Sequence, residues 1–146
     1  MYYGIIKKNF RINLKFVTIL YNFYKPKYHN NMLPKDYRLK KRSAFAATYR
    51  IGNTIHKDGI TVFIGKNKND ELPTRVGFVV SKKIHKRAVK RNRIKRLMRE
   101  SYRLLIKNKT ISNEHKSLIF VASSKLLGKN FTQINSAMTS LVNRLW

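Results

Sequence analysis

Residues 82–107, KKIHKRAVKRNRIKRLMRESYRLLIK, place twelve Lys or Arg beside a single acid, Glu100. Arg91, Lys95 and Arg99 recur at i, i+4 and i+8, so a helix stacks them one turn apart, with Arg93, Arg96 and Arg103 beside them. Cations about 6 Å apart come close to the spacing of phosphates along a nucleic-acid strand. Asn92, set between two arginines, offers both a donor and an acceptor to a sugar or a base edge. The chemistry this pattern suits is the gripping of a polyanion. A merely solvated helix face is the plainer alternative, but such a face usually interleaves Glu with Lys. Here the cations begin before the helix, at Lys82 and Lys83, and far outnumber the acids.

Bond-breaking chemistry is harder to assemble. The acids are Asp36, Asp58, Asp70, Glu71, Glu100 and Glu114, and no two have the spacing of a general acid/base pair on a recognisable scaffold. Asp70 and Glu71 are adjacent but sit in a polar stretch, where solvated turn residues are expected. His29, His56, His85 and His115 are scattered, with no HExxH or i, i+4 metal pair. His85, among cations, suits a phosphate better than a metal. The glycines at 52, 59, 65 and 77 form no phosphate-cradling loop. The absence of cysteine removes disulfides, thiolate zinc sites and cysteine nucleophiles.

The totals agree with a folded, cationic binder. The chain has 146 residues, a net charge of +27 and a hydrophobic fraction of 42%. One domain with a modest core is expected, and its self-repulsion calls for an anionic partner. Nucleic acid is the first candidate and an acidic membrane surface the second. No apolar run approaches the roughly 18–20 residues of a membrane span. The uncharged run Phe16–Tyr24 follows Lys7, Lys8, Arg11 and Lys15 in the manner of a signal peptide, but no small-x-small cleavage site follows it. A cytoplasmic location without a membrane partner is the expectation.

Composition changes near Met32. Residues 1–31 carry eight aromatics, six Lys or Arg and no acid, with no clear period. They read as a disordered extension, or as sequence upstream of a natural start at Met32. An additional arm touching RNA or a membrane is the alternative, because aromatics mixed with cations can stack on bases. Residues 32–146 form the domain.

Its elements follow from period and punctuation. Ser43 is expected to cap a short helix over Ala44–Arg50 that Gly52 ends, with Phe45 and Tyr49 on one face. Ile60–Gly65 and Arg75–Ser81 read as strands joined in a hairpin, and a short strand near Asn53–His56 is possible. Gly77 inside a strand implies a close backbone approach or a bulge. The basic helix begins at Lys86 or Val89 and ends at Lys107. Ile84 and Val89 lead into its apolar stripe of Ile94, Leu97, Met98, Ser101, Leu104 and Leu105. Ser117–Ser123 reads as a strand. A last helix over Asn130–Leu145 turns Ile134, Ala137, Met138, Leu141, Val142 and Leu145 inward. The order α-β-β-α-β-α describes an α+β sandwich with a small sheet. Phe45, Tyr49, Phe63 and Phe78 are candidates either for core or for a platform that stacks unpaired bases.

The segment VGFVVSKKIHKRAVKRNRIKRLMRE resembles the signature of the bacterial ribonuclease P protein component family. That family shows a V-S-K-K turn, here Val80–Lys83, and A-V-x-R-N-R-x-K-R-x-x-R-E on a long helix, here Ala88–Glu100. Arg38-Leu39-Lys40 with Phe45 and Tyr49 matches its entry, and Leu118–Ala122 its last strand. The similarity spans about residues 32–146. It implies an α-β-β-β-α-β-α fold with a small mixed sheet and a left-handed βαβ crossover, like the second domain of a small-subunit ribosomal protein. It also implies two partners: the catalytic RNA subunit of ribonuclease P, and precursor tRNA, whose 5′ leader the holoenzyme removes. Hydrolysis would belong to the RNA and its bound Mg2+, leaving no catalytic or metal-binding residue on the protein. By the same resemblance Ser81, Lys82, Lys83, Arg91, Asn92, Arg93, Lys95, Arg96 and Arg99 would face the RNA subunit. Arg38, Lys40, Phe45, Tyr49 and Phe63 would contact the leader. Two departures stand out. Residues 1–31 have no counterpart, and His85-Lys86-Arg87 replaces a shorter linker that carries glycine, which puts a tight turn there in question.

Overall fold

A computed structural model describes residues 33–68 and 71–145. The reading of residues 1–31 lies outside them. The described chain runs α1 (Arg42–Ile51), β1 (Thr54–Lys57), β2 (Ile60–Ile64), β3 (Arg75–Val80), α2 (Ala88–Lys107), β4 (Ser117–Ala122) and α3 (Phe131–Val142). The short strand near residue 54 therefore exists, and the order is the α-β-β-β-α-β-α implied by the resemblance.

Asp58 and Gly59 join β1 to β2 with φ of 50° and 87°. Two consecutive positive φ values mark the tight turn that Asp-Gly favours and whose twist matches antiparallel strands. The hairpin is thus β1–β2, not the expected pairing of β2 with β3. In the sheet order β1-β2-β4-β3, β4 lies between those two strands. β2 pairs antiparallel with β4, and β3 pairs parallel with it. A parallel pair requires a crossover, which α2 supplies.

The strands alternate cleanly. Phe78 and Val62 both stand opposite Phe120 and share its face with Leu118, Val76 and Val80. On that face α2 contributes Ile94, Met98, Tyr102 and Leu105, while α3 contributes Ile134, Ala137, Met138, Leu141 and Val142. Burying side chains of this size contributes about 1.5–3 kcal/mol each. Ser101 belongs to the α2 stripe for a polar reason: its hydroxyl donates to Asn135 Oδ1 of α3 at 2.7 Å. Leu97 and Leu104 lie half-buried at the margins. Val89 is 78% exposed and is not part of the apolar lead-in, whereas Ile84 does pack against the core.

The helix ends are built differently. Asn130 caps α3 through a reciprocal pair with Gln133, at 2.9 and 3.1 Å. α1 starts one residue before Ser43, its N-cap being Lys41 with no side-chain capping bond. The expected Ser43 cap is therefore incorrect. Leu39 N–H donates to Val76 O at 2.9 Å, which anchors the entering chain on β3 and lets the helix begin early. Gly52 ends α1 as expected, at φ 77°. No helix among the described residues is long and apolar enough to cross a membrane.

Candidate RNA interface

The outer side of α2 carries the cations, but they are not equivalent. Asn92, Arg93 and Arg96 are exposed, and Lys95 and Arg99 are half-buried along the flank. Arg91 is turned back on its own chain: Nη1 donates to His85 O at 2.8 Å and to Lys86 O at 2.6 Å. That guanidinium fastens the β3–α2 connection to the first turn of the helix. Arg103 is held by Glu100, at 2.9 Å from Nε and 2.5 Å from Nη2. The same hydrogen bond keeps the Glu100 carboxyl below its ordinary pKa and raises that of Arg103.

Ser81, Lys82 and Lys83 precede the helix in an exposed turn, where Lys83 N–H donates to Ser81 Oγ at 3.2 Å and Ile84 N–H to Ser81 O at 3.1 Å. The turn forms without glycine. Among the described residues only Asp58 and Lys109 are non-glycines with positive φ, so His85 occupies ordinary backbone. Its Nδ1 accepts the Arg87 N–H at 3.0 Å and so steadies the start of α2. The longer linker is accommodated by hydrogen bonds in place of backbone freedom.

A second surface lies across the sheet, under α1. A Cβ at Gly77 would come within 2.6 Å of the Phe45 ring, so glycine there is what lets the ring rest on β3. Tyr49 meets Phe63 edge to face, with centroids 4.7 Å apart and an interplanar angle of 77°. Burial of the ring raises the Tyr49 hydroxyl pKa, although the residue remains 38% exposed. Phe45, Tyr49 and Phe63 therefore share one side of the sheet and stay reachable. Phe78 does not join them. It points to the other face and stacks on Phe120 at 5.6 Å, with Tyr102 beside both. Lys40, just before α1, is exposed, whereas Arg38 Nε donates to Leu33 O at 2.6 Å and is engaged within the protein.

The family model described as Ribonuclease P matches residues 33–146. The chain belongs to the bacterial ribonuclease P protein family. It is similar to the ribonuclease P protein component of Clostridium novyi, 36% identical over 112 residues that cover 77% of this chain and 96% of the relative. The Clostridioides difficile component is 37% identical over 106 residues, covering 73% and 89%. Among solved structures, the Staphylococcus aureus RNase P protein superposes with a TM-score of 0.64 at 28% identity, covering 76% of this chain and 96% of that one. The protein from Thermotoga maritima gives 0.62 at 25%, covering 73% and 96%.

Several groups in this ribonuclease P protein had no signal in the sequence. Thr48 of α1 and Ser117 of β4 meet through their hydroxyls at 2.6 Å, across a separation of 69 residues. His56 Nδ1 and Thr61 Oγ1 meet at 2.9 Å across the β1–β2 pair. Neither pair forms a motif; each is created by register. Only the Asp58-Gly59 turn could have pointed to the second, by fixing which residues face each other. Among the described residues, no group of three or more His, Asp or Glu gathers in a way that could hold a metal ion.

Proposed function

We propose that this chain is the RNA-binding subunit of a ribonucleoprotein endonuclease that removes the 5′ leader from precursor tRNA, with α2 docked on the catalytic RNA and the α1 cleft holding the leader. The observation that carries this reading is the division of labour between two surfaces. One is a long helix with exposed Arg93, Arg96 and Asn92; the other is an aromatic surface of Phe45, Tyr49 and Phe63. Cations fixed on a helix attract phosphates with little loss of freedom on binding. Aromatic rings stack on unpaired bases and are tolerant of sequence. A single-stranded leader offers such bases, whereas mature tRNA lacks the segment.

The physical task is to relieve repulsion. The catalytic RNA and its substrate are both polyanions, and a cationic wedge at both surfaces lowers the work of bringing them together. Among the described residues the carboxylates are few and dispersed among cations, and no group of them offers Mg2+ a set of donors. The proposal therefore leaves metal and hydrolysis with the RNA. The protein's residues bind and orient, and it works where precursor tRNA is made, in the cytoplasm.

Reconstitution tests the reading. Adding the full chain to its cognate catalytic RNA at moderate salt should increase the rate of leader removal from a labelled precursor, and no increase would refute it. If about six phosphates are neutralised, single-strand affinity should fall with salt at a log–log slope of about −4. Tyr49→Ala should weaken precursor binding more than mature tRNA binding. Equal loss for both would remove the leader from the cleft.

A further inference from the structure

Helix α1 has two flanks. On the flank away from Phe45 and Tyr49, a cavity of about 330 Å³ opens between the helix and the lower end of the sheet. Leu39 and Ile51 give it apolar walls, and the small side chains of Ala44 and Ala47 leave it open. At its back stand the hydroxyls of Thr48 and Ser117, 1% and 8% exposed. Thr48 Oγ1 donates to Ala44 O at 2.8 Å, so the proton between the two hydroxyls, 2.6 Å apart, comes from Ser117. Ser117 Oγ keeps its lone pairs as acceptors for an incoming N–H.

The mouth is cationic. Lys66, Arg75 and Lys116 line it, although they come from three separate segments. Their own backbones bring them together: Arg75 N–H donates to Lys116 O at 3.2 Å, and Lys116 N–H donates to Lys66 O at 2.9 Å. No carboxylate among the described residues pairs with any of the three. They lie at the end of β3 opposite the Ser81–Lys83 turn, and so apart from the α2 surface.

We propose that this cavity binds a nucleoside monophosphate, free or as the 5′-phosphorylated end of an RNA strand. Its volume lies at the lower end of the about 300–1,000 Å³ of small-molecule pockets, which suits one nucleotide and not two. Apolar walls accept the faces of a base, and Ser117 Oγ accepts an amino or imino N–H from its edge. Three cations with no carboxylate partner among the described residues match a terminal phosphate, which carries about −1.5 to −2 charges near pH 7, better than the single charge of an internal diester. The site is independent of the leader cleft and of the reading of α2.

The test uses the full chain, with UMP, AMP, uridine and inorganic phosphate as probes, followed by amide NMR shifts. UMP or AMP should bind saturably, with shifts centred on Ala44, Ala47, Thr48 and Ser117. Uridine and inorganic phosphate should each bind at least tenfold more weakly. Ala47→Phe, which fills the cavity, and Lys116→Gln, which removes a cation, should each reduce nucleotide binding at least tenfold while leaving affinity for the catalytic RNA unchanged. A tetranucleotide bearing a 5′-phosphate should compete with UMP, and its 5′-hydroxyl counterpart should not. Competition by neither leaves the free nucleotide as the ligand. Inorganic phosphate binding as tightly as UMP, or shifts confined to α2 or to Phe45 and Tyr49, would overturn the proposal. Activation of the catalytic RNA by a chain that binds no nucleotide would refute the cavity site alone.

Discussion

Helices α2 and α3 lie side by side on one face of the sheet and bury similar stripes. Ile94, Met98, Tyr102 and Leu105 on one correspond to Ile134, Met138, Leu141 and Val142 on the other. Their outer faces have almost nothing in common. α3, FTQINSAMTSLV, carries no charged residue, while α2 carries eight Lys or Arg and one Glu. The inner stripe of each helix is answered by the core, and the outer face is free to be answered by something else. Two helices with the same structural duty therefore separate what the fold needs from what a partner needs.

The comparison can be broken first at the core. Met98→Ala and Met138→Ala should each cost about 2–5 kcal/mol in urea unfolding, since both side chains are fully buried and leave cavities. A large cost for one and a negligible cost for the other would end the equivalence of the stripes. The outer faces come next. Arg93→Glu with Arg96→Glu should lower affinity for the catalytic RNA about 100-fold, or about 2.7 kcal/mol, by filter binding. Thr132→Glu with Ser136→Glu, placed on exposed positions of α3, should change it less than about threefold if the contacts are local to α2.

The caps sharpen the contrast further. Asn130→Ala should destabilise the protein by about 1 kcal/mol, because it removes the reciprocal bonds with Gln133. Arg87 caps α2 without a side-chain bond, so Arg87→Ala should stay within about 0.5 kcal/mol in the same melt. The smallest effect is expected at Glu100. Its carboxyl pKa is lowered by Arg103, so the contribution is present above the ordinary carboxylate range and disappears as pH falls through the lowered value. The pair is partly exposed, and Glu100→Gln should cost about 0.5 kcal/mol or less at pH 7 and nothing in strong acid. A pH-independent cost would assign the loss to packing instead.

Much of this was legible in the sequence because the signals were local. The stripe of α2, the Asn130 start of α3, the Gly52 stop and the close approach at Gly77 each follow from a few neighbouring residues. The strand pairing was not, since β3 finds its partner only after α2 has returned the chain. Ser43 misled for a related reason: the helix start is set by Leu39 pairing with Val76, a tertiary contact. Phe63 and Phe78 look alike in sequence yet lie on opposite faces, and only the register of β2 and β3 against β4 separates them. The convergence of Lys66, Arg75 and Lys116 is likewise a product of register.

Arg91 sits at the head of the basic helix and holds two carbonyls of the segment that leads into it. One end of its guanidinium, Nη1, is committed to the protein, and Nε and Nη2 remain to meet an anion. Residues 85–86 are thereby tied to the first turn of the helix, so on the proposed docking that part of the connection has less freedom to lose. Arg91→Ala would loosen that connection, and the signature of its loss would be a slower association and a larger entropic penalty with most of the phosphate contacts still available.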